Sequence, residues 1–218
     1  LFDDGYYSIR KVDGNAATID SLNQIGDFSS LQTSGMHRTE SEIADQGIVE
    51  VTSYGGHVAY RKRRYEIGFT AAATQFDKPL VRTTTLYNQF QFNGDHFFNT
   101  GVDYKFLYRN LSFFGETSHS KNGAFATVNG VIMALDPKLT ATLLYRNYSK
   151  KYEAIESNAI AESDNFNEKG MYFGFTAKPV RMFTLSGYFD IFSYPWLRYQ
   201  VNAPSKGFEY IAQLTFTP

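Results

Sequence analysis

Apolar and polar positions alternate with a period of two along most of this chain, the pattern of strands that show different surroundings on their two faces. The clearest run is 208–216, where Phe208, Tyr210, Ala212, Leu214 and Phe216 share a face opposite Glu209, Ile211, Gln213 and Thr215. In 97–108, Phe98, Val102, Tyr104, Phe106 and Tyr108 oppose Asn99, Gly101, Asp103 and Lys105. The same reading places strands at 5–12, 48–61, 65–76, 96–108, 111–121, 124–135, 139–150, 169–178, 182–193 and 207–216. The faces of 124–135 are not assigned by pattern, and 81–92 is a candidate for one strand more. Helical periodicity is almost absent. Thr39-Glu40-Ser41-Glu42 reads as a capping box that opens a short helix, Glu40 to Gln46.

The links between strands fall into two sets. Short ones lie at 62–64, 109–110, 136–138 and 179–181, and long ones at 13–47, 77–95, 151–168 and 194–206. Short and long links alternate if all the short ones lie at one end of the strands. Asn122-Gly123 breaks the rule as a tight hairpin with the residues of a type I′ turn. The 13–47 loop, with its own helix, is expected either to fold into the lumen or to form an outer surface.

These features predict an all-β, antiparallel up-and-down transmembrane β-barrel of about ten strands, whole or part of a larger one, over residues 1–218. The expected strands, about 9–13 residues, exceed the ~5–6 of ordinary sheets and suit the roughly 9–11 of a tilted membrane crossing. Aromatic residues gather near strand ends, as in the ring girdles of such barrels. Tyr60, Tyr65, Phe106, Tyr108, Phe113, Tyr145, Phe183, Trp196 and Phe216 are the candidates for that interface. The opposite rows carry both charges, so His57, Arg61, Glu66, Asp103, Lys105, Glu116, Arg146, Lys178, Asp190 and Glu209 are the candidate lumen residues. A soluble β-sandwich also alternates, and stays open as an alternative.

Composition narrows the function classes. The 218 residues hold 21 Lys and Arg against 22 Asp and Glu, a balance that argues against a nucleic-acid binder. With no Cys there is neither a disulfide framework nor a thiolate metal site. No apolar run reaches the ~18–20 residues of a membrane helix. The mean hydropathy of −0.35 is compatible with a barrel, since alternate strand residues face a polar interior.

Candidate chemistry is sparse. His37, His57, His96 and His119 have no metal-ligand spacing, and no cofactor is expected. Ser118-His119-Ser120, near Glu116, is the only cluster suggesting a rim hydrolase, yet neighbours on one strand point to opposite faces. No GxSxG elbow or phosphate-binding glycine loop accompanies it. Arg61-Lys62-Arg63-Arg64 reads as a solvated turn. Lys150-Lys151 lie at the long-loop end, where lipopolysaccharide phosphates are candidate partners. Tyr194-Pro195-Trp196-Leu197-Arg198-Tyr199 joins aromatics to an Arg, a set that stacks a sugar or nucleobase or else anchors at the interface.

Several stretches resemble a known family: SSLQTSGMHRTESEIAD (29–45), TQFDKPL (74–80), YRNLSFFGETSHSKNG (108–123), LDPKL (135–139), LLYRNYSKKY (143–152), NEKGMYFG (167–174) and, most specifically, 185–214. They resemble the barrel part of Bacteroidota-type outer-membrane proteins that carry an upstream helix-hairpin-helix region. The resemblance implies a cell outer-membrane location and a longer parent protein. It brings no catalytic or ligand residues. The opening LFDDGYYSIR has no signal-peptide pattern, and with QLTFTP at the other end the chain reads as a segment of something longer. The expected function is that of a non-enzymatic, porin-like pore, scaffold or anchor for a periplasmic module. Its expected partners are outer-membrane lipid, lipopolysaccharide and other outer-membrane or periplasmic proteins, with no direct nucleic-acid contact. The alternatives are an outer-membrane hydrolase with a rim site near His119 and a soluble β-sandwich binding or adhesion module.

Overall fold

A computed structural model describes residues 2–19, 25–32, 37–155 and 159–217. The chain is all-β, the described residues being mostly strand with little helix. Among the described residues the strands are β1 (Phe2–Ile19), β2 (Ile25–Gln32), β3 (Val49–Arg61), β4 (Tyr65–Leu80), β5 (Gly94–Tyr108), β6 (Leu111–Ser120), β7 (Phe125–Asp136), β8 (Leu139–Tyr148), β9 (Glu168–Ala177), β10 (Phe183–Tyr194) and β11 (Ser205–Phe216), with one helix, α1 (Glu40–Ala44).

All eleven strands belong to one sheet. From β3 to β11 it is an antiparallel meander in which each strand pairs with the next. β1 pairs with β3 from Phe2↔Ala59 to Val12↔Val49, and from Asp13 onward with β2. β2 then meets β4 through the single parallel pair Phe28↔Leu80. Among the described residues β11 has β10 as its one ladder partner, and residues 2–12 of β1 have β3. Among the described residues the sheet therefore ends in two edges with no further ladder partner.

The sheet is nonetheless strongly curled. The Trp196 indole, after β10, donates to the Leu86 carbonyl, after β4, at 3.1 Å. Loops that are distant in the ladder meet over one face. On that face, at the long-link end, sits the buried apolar cluster Phe28, Val49, Val51, Phe76, Leu80, Phe92 and Phe97, with Ile155 packed against it. Phe28 meets Phe76 edge-on at 5.6 Å, and Phe92 meets Phe97 at 5.5 Å. Part of the 13–47 loop thus packs through Phe28 onto the curled face at its long-link end, the mouth of the curled sheet, whereas α1 buries no residue.

Three local expectations change. The eleventh strand is β2, and 81–92 forms no strand. There Asn88 Oδ1 accepts from the Thr85 amide (2.7 Å) and hydroxyl (3.0 Å), and its amide donates to Thr83 O at 3.1 Å. Side-chain bonding of this kind outcompetes the strand propensity of the threonines. The Asn122-Gly123 hairpin is not type I′: of its two residues only Gly123 has positive φ, +86°. Gly123 N donates to Ser120 O and Ser120 N to Ala124 O, both at 2.9 Å, so the glycine closes a longer link. Lys178 lies beyond β9 in a short turn, where its amide donates to Lys138 O at 2.7 Å. The register also settles the faces of β7: Ala126, Val128, Gly130 and Ile132 share the Arg146 face, and Phe125, Thr127, Asn129 and Val131 take the other. The capping box forms as read, with Glu42 N donating to Thr39 Oγ1 and Thr39 N to Glu42 Oε2, both at 3.2 Å.

Candidate functional site: the charged face and the mouth

Paired residues in a ladder point to the same face. The register Arg61↔Glu66↔Lys105 and Gly68↔Asp103↔Glu116↔Val128↔Arg146↔Gly170 therefore puts these groups on one surface. His57, Asp190 and Glu209 share it. Of the ten candidate lumen residues, Lys178 alone lies outside the strands.

These groups form short ion pairs. Arg61 makes a two-pronged contact with Glu66, at 2.7 and 2.8 Å, at the exposed short-turn end. His57 Nε2 lies 3.0 Å from Asp103 Oδ2. Arg146 is fully buried and holds two carboxylates, Glu168 through Nε at 2.6 Å and Asp190 through Nη1 at 2.8 and 3.0 Å. Glu168 also accepts the Glu162 amide at 3.1 and 3.3 Å. Sequence reasoning missed Glu168, although its phase with Gly170 and Tyr172 in β9 placed it on the charged face. Lys105, Glu116 and Glu209 stay exposed, although Glu116 lies in the ladder row of buried Arg146 and Glu209 is paired with buried Asp190.

The aromatic face is the other one. Tyr60 and Tyr65 (6.1 Å), Phe106 and Phe113 (6.2 Å), Phe183 and Phe216 (5.1 Å), and Tyr108 beside Phe106 cluster near the short turns. Tyr145 shares this face but sits within β8, opposite Asn129 and Met171. Trp196 does not lie on it. Its ring packs on Phe90 at 5.1 Å in the loop after β10, because Lys150 Nζ sits over both rings, 4.0 and 4.2 Å from their centres.

Ser118 and His119 are held apart. Ser118 Oγ donates to Thr100 O at 3.1 Å and accepts from Tyr152 OH at 2.8 Å, while the His119 ring stacks on Phe125 at 4.6 Å on the opposite face. Ser120 Oγ donates to Glu153 O at 3.3 Å. Among the described residues no group of three His, Cys, Asp or Glu is placed to hold a metal ion.

At the mouth, three loops lock together. The buried Asn167 side chain accepts the Trp196 amide at 2.7 Å and donates to the Trp196 carbonyl at 3.2 Å. Tyr87 meets Tyr199 edge-on at 5.6 Å. Two cavities open here. One, of about 370 Å³, is lined by Arg82, Tyr152 and Glu153 among others; the second, of about 300 Å³, by Tyr194, Arg198 and Tyr199 among others. Burial pushes the Glu153 and Glu162 carboxyls up from their ordinary value and lowers the Arg82 guanidinium.

Comparison of the sequence with protein-family models and with curated proteins returns no match.

Proposed function

We propose that this chain is the larger part of an outer-membrane β-barrel that carries no catalysis of its own and serves as a scaffold, anchor or gated pore for a periplasmic module. One observation carries this reading: the two faces are inverted relative to a protein folded in water. Tyr54, Val58, Ile67, Phe69, Val102, Phe173, Phe189 and Ile191 leave 41–52% of their surface open on one face, while Arg146, Glu168 and Asp190 are 0–5% exposed on the other. In water, that arrangement exposes apolar area costing roughly 25 cal/mol per Å² while it is the charged groups that are taken out of water. With hydrocarbon outside, the cost of the exposed apolar face vanishes, while the charges are compensated by their partners on the inner face.

Lipid also requires every backbone group to be paired, so the edges of β1 and β11 need further strands. The family resemblance supplies such a longer parent. The packed mouth around Phe28 and Phe92 favours a scaffold or gated pore over an open one. A rim hydrolase lacks the Ser118–His119 contact it needs.

The test is refolding of the chain into lipid vesicles and into detergent-free buffer. Sheet formation that depends on lipid, with low conductance in planar bilayers that rises on deleting 13–47, is the expected result. A monodisperse, folded protein in plain buffer that ignores vesicles overturns the reading.

A further inference from the structure

Two arginines in the mouth have no acidic partner among the described residues. Arg82 donates from Nη1 to Gln91 Oε1 at 3.0 Å, and its buried Nε makes no hydrogen bond. Arg198 sits over Tyr194, its guanidinium carbon 3.9 Å from the ring centre. A guanidinium spared from ion pairing keeps a planar fork of donors for a carboxylate or phosphate.

The two arginines line adjoining cavities. The cavity beside Arg82 and the one beside Arg198 share Gln91, Ser163, Asp164 and Phe166, so they adjoin as two compartments of a cleft at the mouth. Its outer wall is Tyr199, 69% exposed. The cleft is held in shape before any ligand arrives. Asn167 ties Trp196 down, Trp196 Nε1 reaches Leu86 O at 3.1 Å, and the pair Arg198↔Val201 closes the loop tip around Gln200, whose φ is +61°. Such preorganisation lowers the entropy lost on binding.

We propose that this cleft binds an anionic saccharide. The CH face of a pyranose ring stacks on Tyr199, its hydroxyls bond to Gln91, Ser163 and Asp164, and its carboxylate or phosphate lies on Arg198, with Arg82 as the inner anion contact. Asp164 and Glu153 decide the class. They oppose a bare inorganic anion but accept hydroxyl protons, so the cleft suits negative charge carried on a neutral polyol frame. The proposal rests on the barrel reading only in placing the cleft at the water-facing end. A free acidic oligosaccharide and the phosphorylated sugar of a lipid headgroup share this chemistry.

The experiment titrates the folded full chain with tetragalacturonate and, separately, with neutral maltotetraose, reading the emission of Trp196, the only tryptophan. Saturable binding of tetragalacturonate, with maltotetraose about tenfold weaker or worse, is expected. Arg198→Met and Tyr199→Ala should each weaken tetragalacturonate about tenfold while leaving the sheet circular-dichroism signal intact. Competition by lipopolysaccharide micelles assigns the ligand to a lipid-borne sugar, and its absence to a free one. Equal binding of both saccharides, no saturable change, or unchanged affinity in both variants overturns the proposal. Because the titration is run in whichever medium folds the chain, the barrel reading can fail while the cleft stands, and the reverse.

Discussion

The guanidinium of Arg146 on β8 reaches the carboxylate of Asp190 on β10 across a whole intervening strand, at 2.8 and 3.0 Å, and passes over Gly170 to do so. His57 on β3 and Asp103 on β5 meet in the same way over Gly68. At both glycines a β-carbon would collide with the bridging side chains. The two bridges draw alternate strands together on the charged face, and each needs one position without a side chain.

Gly170→Ala is therefore expected to cost about 1–3 kcal/mol, the range for inserting a methyl into a packed site. Arg146→Met should cost more, roughly 3–5 kcal/mol, because it leaves Glu168 and Asp190 buried without their cation. Combining Arg146→Met with Glu168→Gln and Asp190→Asn should recover much of that loss. Urea unfolding in detergent micelles measures all three. Unchanged stability in Arg146→Met alone would show that the triad is not the element holding β8 to β10.

The two faces respond oppositely to charge. Phe173 stands mid-strand on the aromatic face, opposite Leu143 and Phe189. If that face meets the bilayer centre, Phe173→Arg should destabilise the vesicle-folded state by about 2–4 kcal/mol. Ser186, on the charged face of neighbouring β10, should accept Arg with little effect. Equal costs at the two positions, measured by folding into phospholipid vesicles, would reject the proposed orientation.

The strands were legible because each separates two unlike surroundings, and a period of two records that directly. What escaped was whatever depends on distant partners. Arg146 was readable as a member of the charged row. That it is buried follows from Asp190, 44 residues away, and from Glu168, which precedes the clear alternation of β9. Trp196 has the composition of an interface anchor, but Lys150 and Phe90 draw it into the mouth. β2 hid within Asp27, Ser29 and Ser30, and its placement depends on one apolar side chain, Phe28, entering the cluster of Val49, Phe76 and Leu80. The start of the helix was legible because a capping box is a local device, whereas its end falls at Ala44, short of the expected Gln46.

The lock between loops can be tested through Asn167, which combines a positive φ of 56° with two hydrogen bonds to Trp196. Asn167→Gly keeps the backbone conformation and loses only the bonds; Asn167→Ala loses both. Glycine is expected to cost about 1–3 kcal/mol for the unpaired groups, and alanine more. Both should red-shift Trp196 emission as the ring leaves Phe90. Unchanged emission in Asn167→Ala would mean that Lys150 and Phe90 hold the indole unaided.

The capping box of α1 makes a pH prediction with a definite sign. The Arg38 amide, then the Thr39 amide and the Arg38 charge, hold the Glu42 carboxyl below its ordinary value of 4.5, against the opposing effect of desolvation. A carboxylate whose folded pKa is depressed stabilises the folded form above the unfolded pKa and loses that contribution as pH falls through the folded one. The α1 turn should thus be fully formed above about pH 5 and loosen as pH falls through and below 4.5. Hydrogen exchange at the Ile43 and Asp45 amides, which bond Thr39 O and Ser41 O at 3.0 Å, reads this directly. Glu42→Gln should flatten the dependence, since the amide oxygen still accepts from the cap but no longer titrates. Exchange that speeds equally in the wild type and the variant as pH drops, after correction for intrinsic rates, would assign the effect to another group.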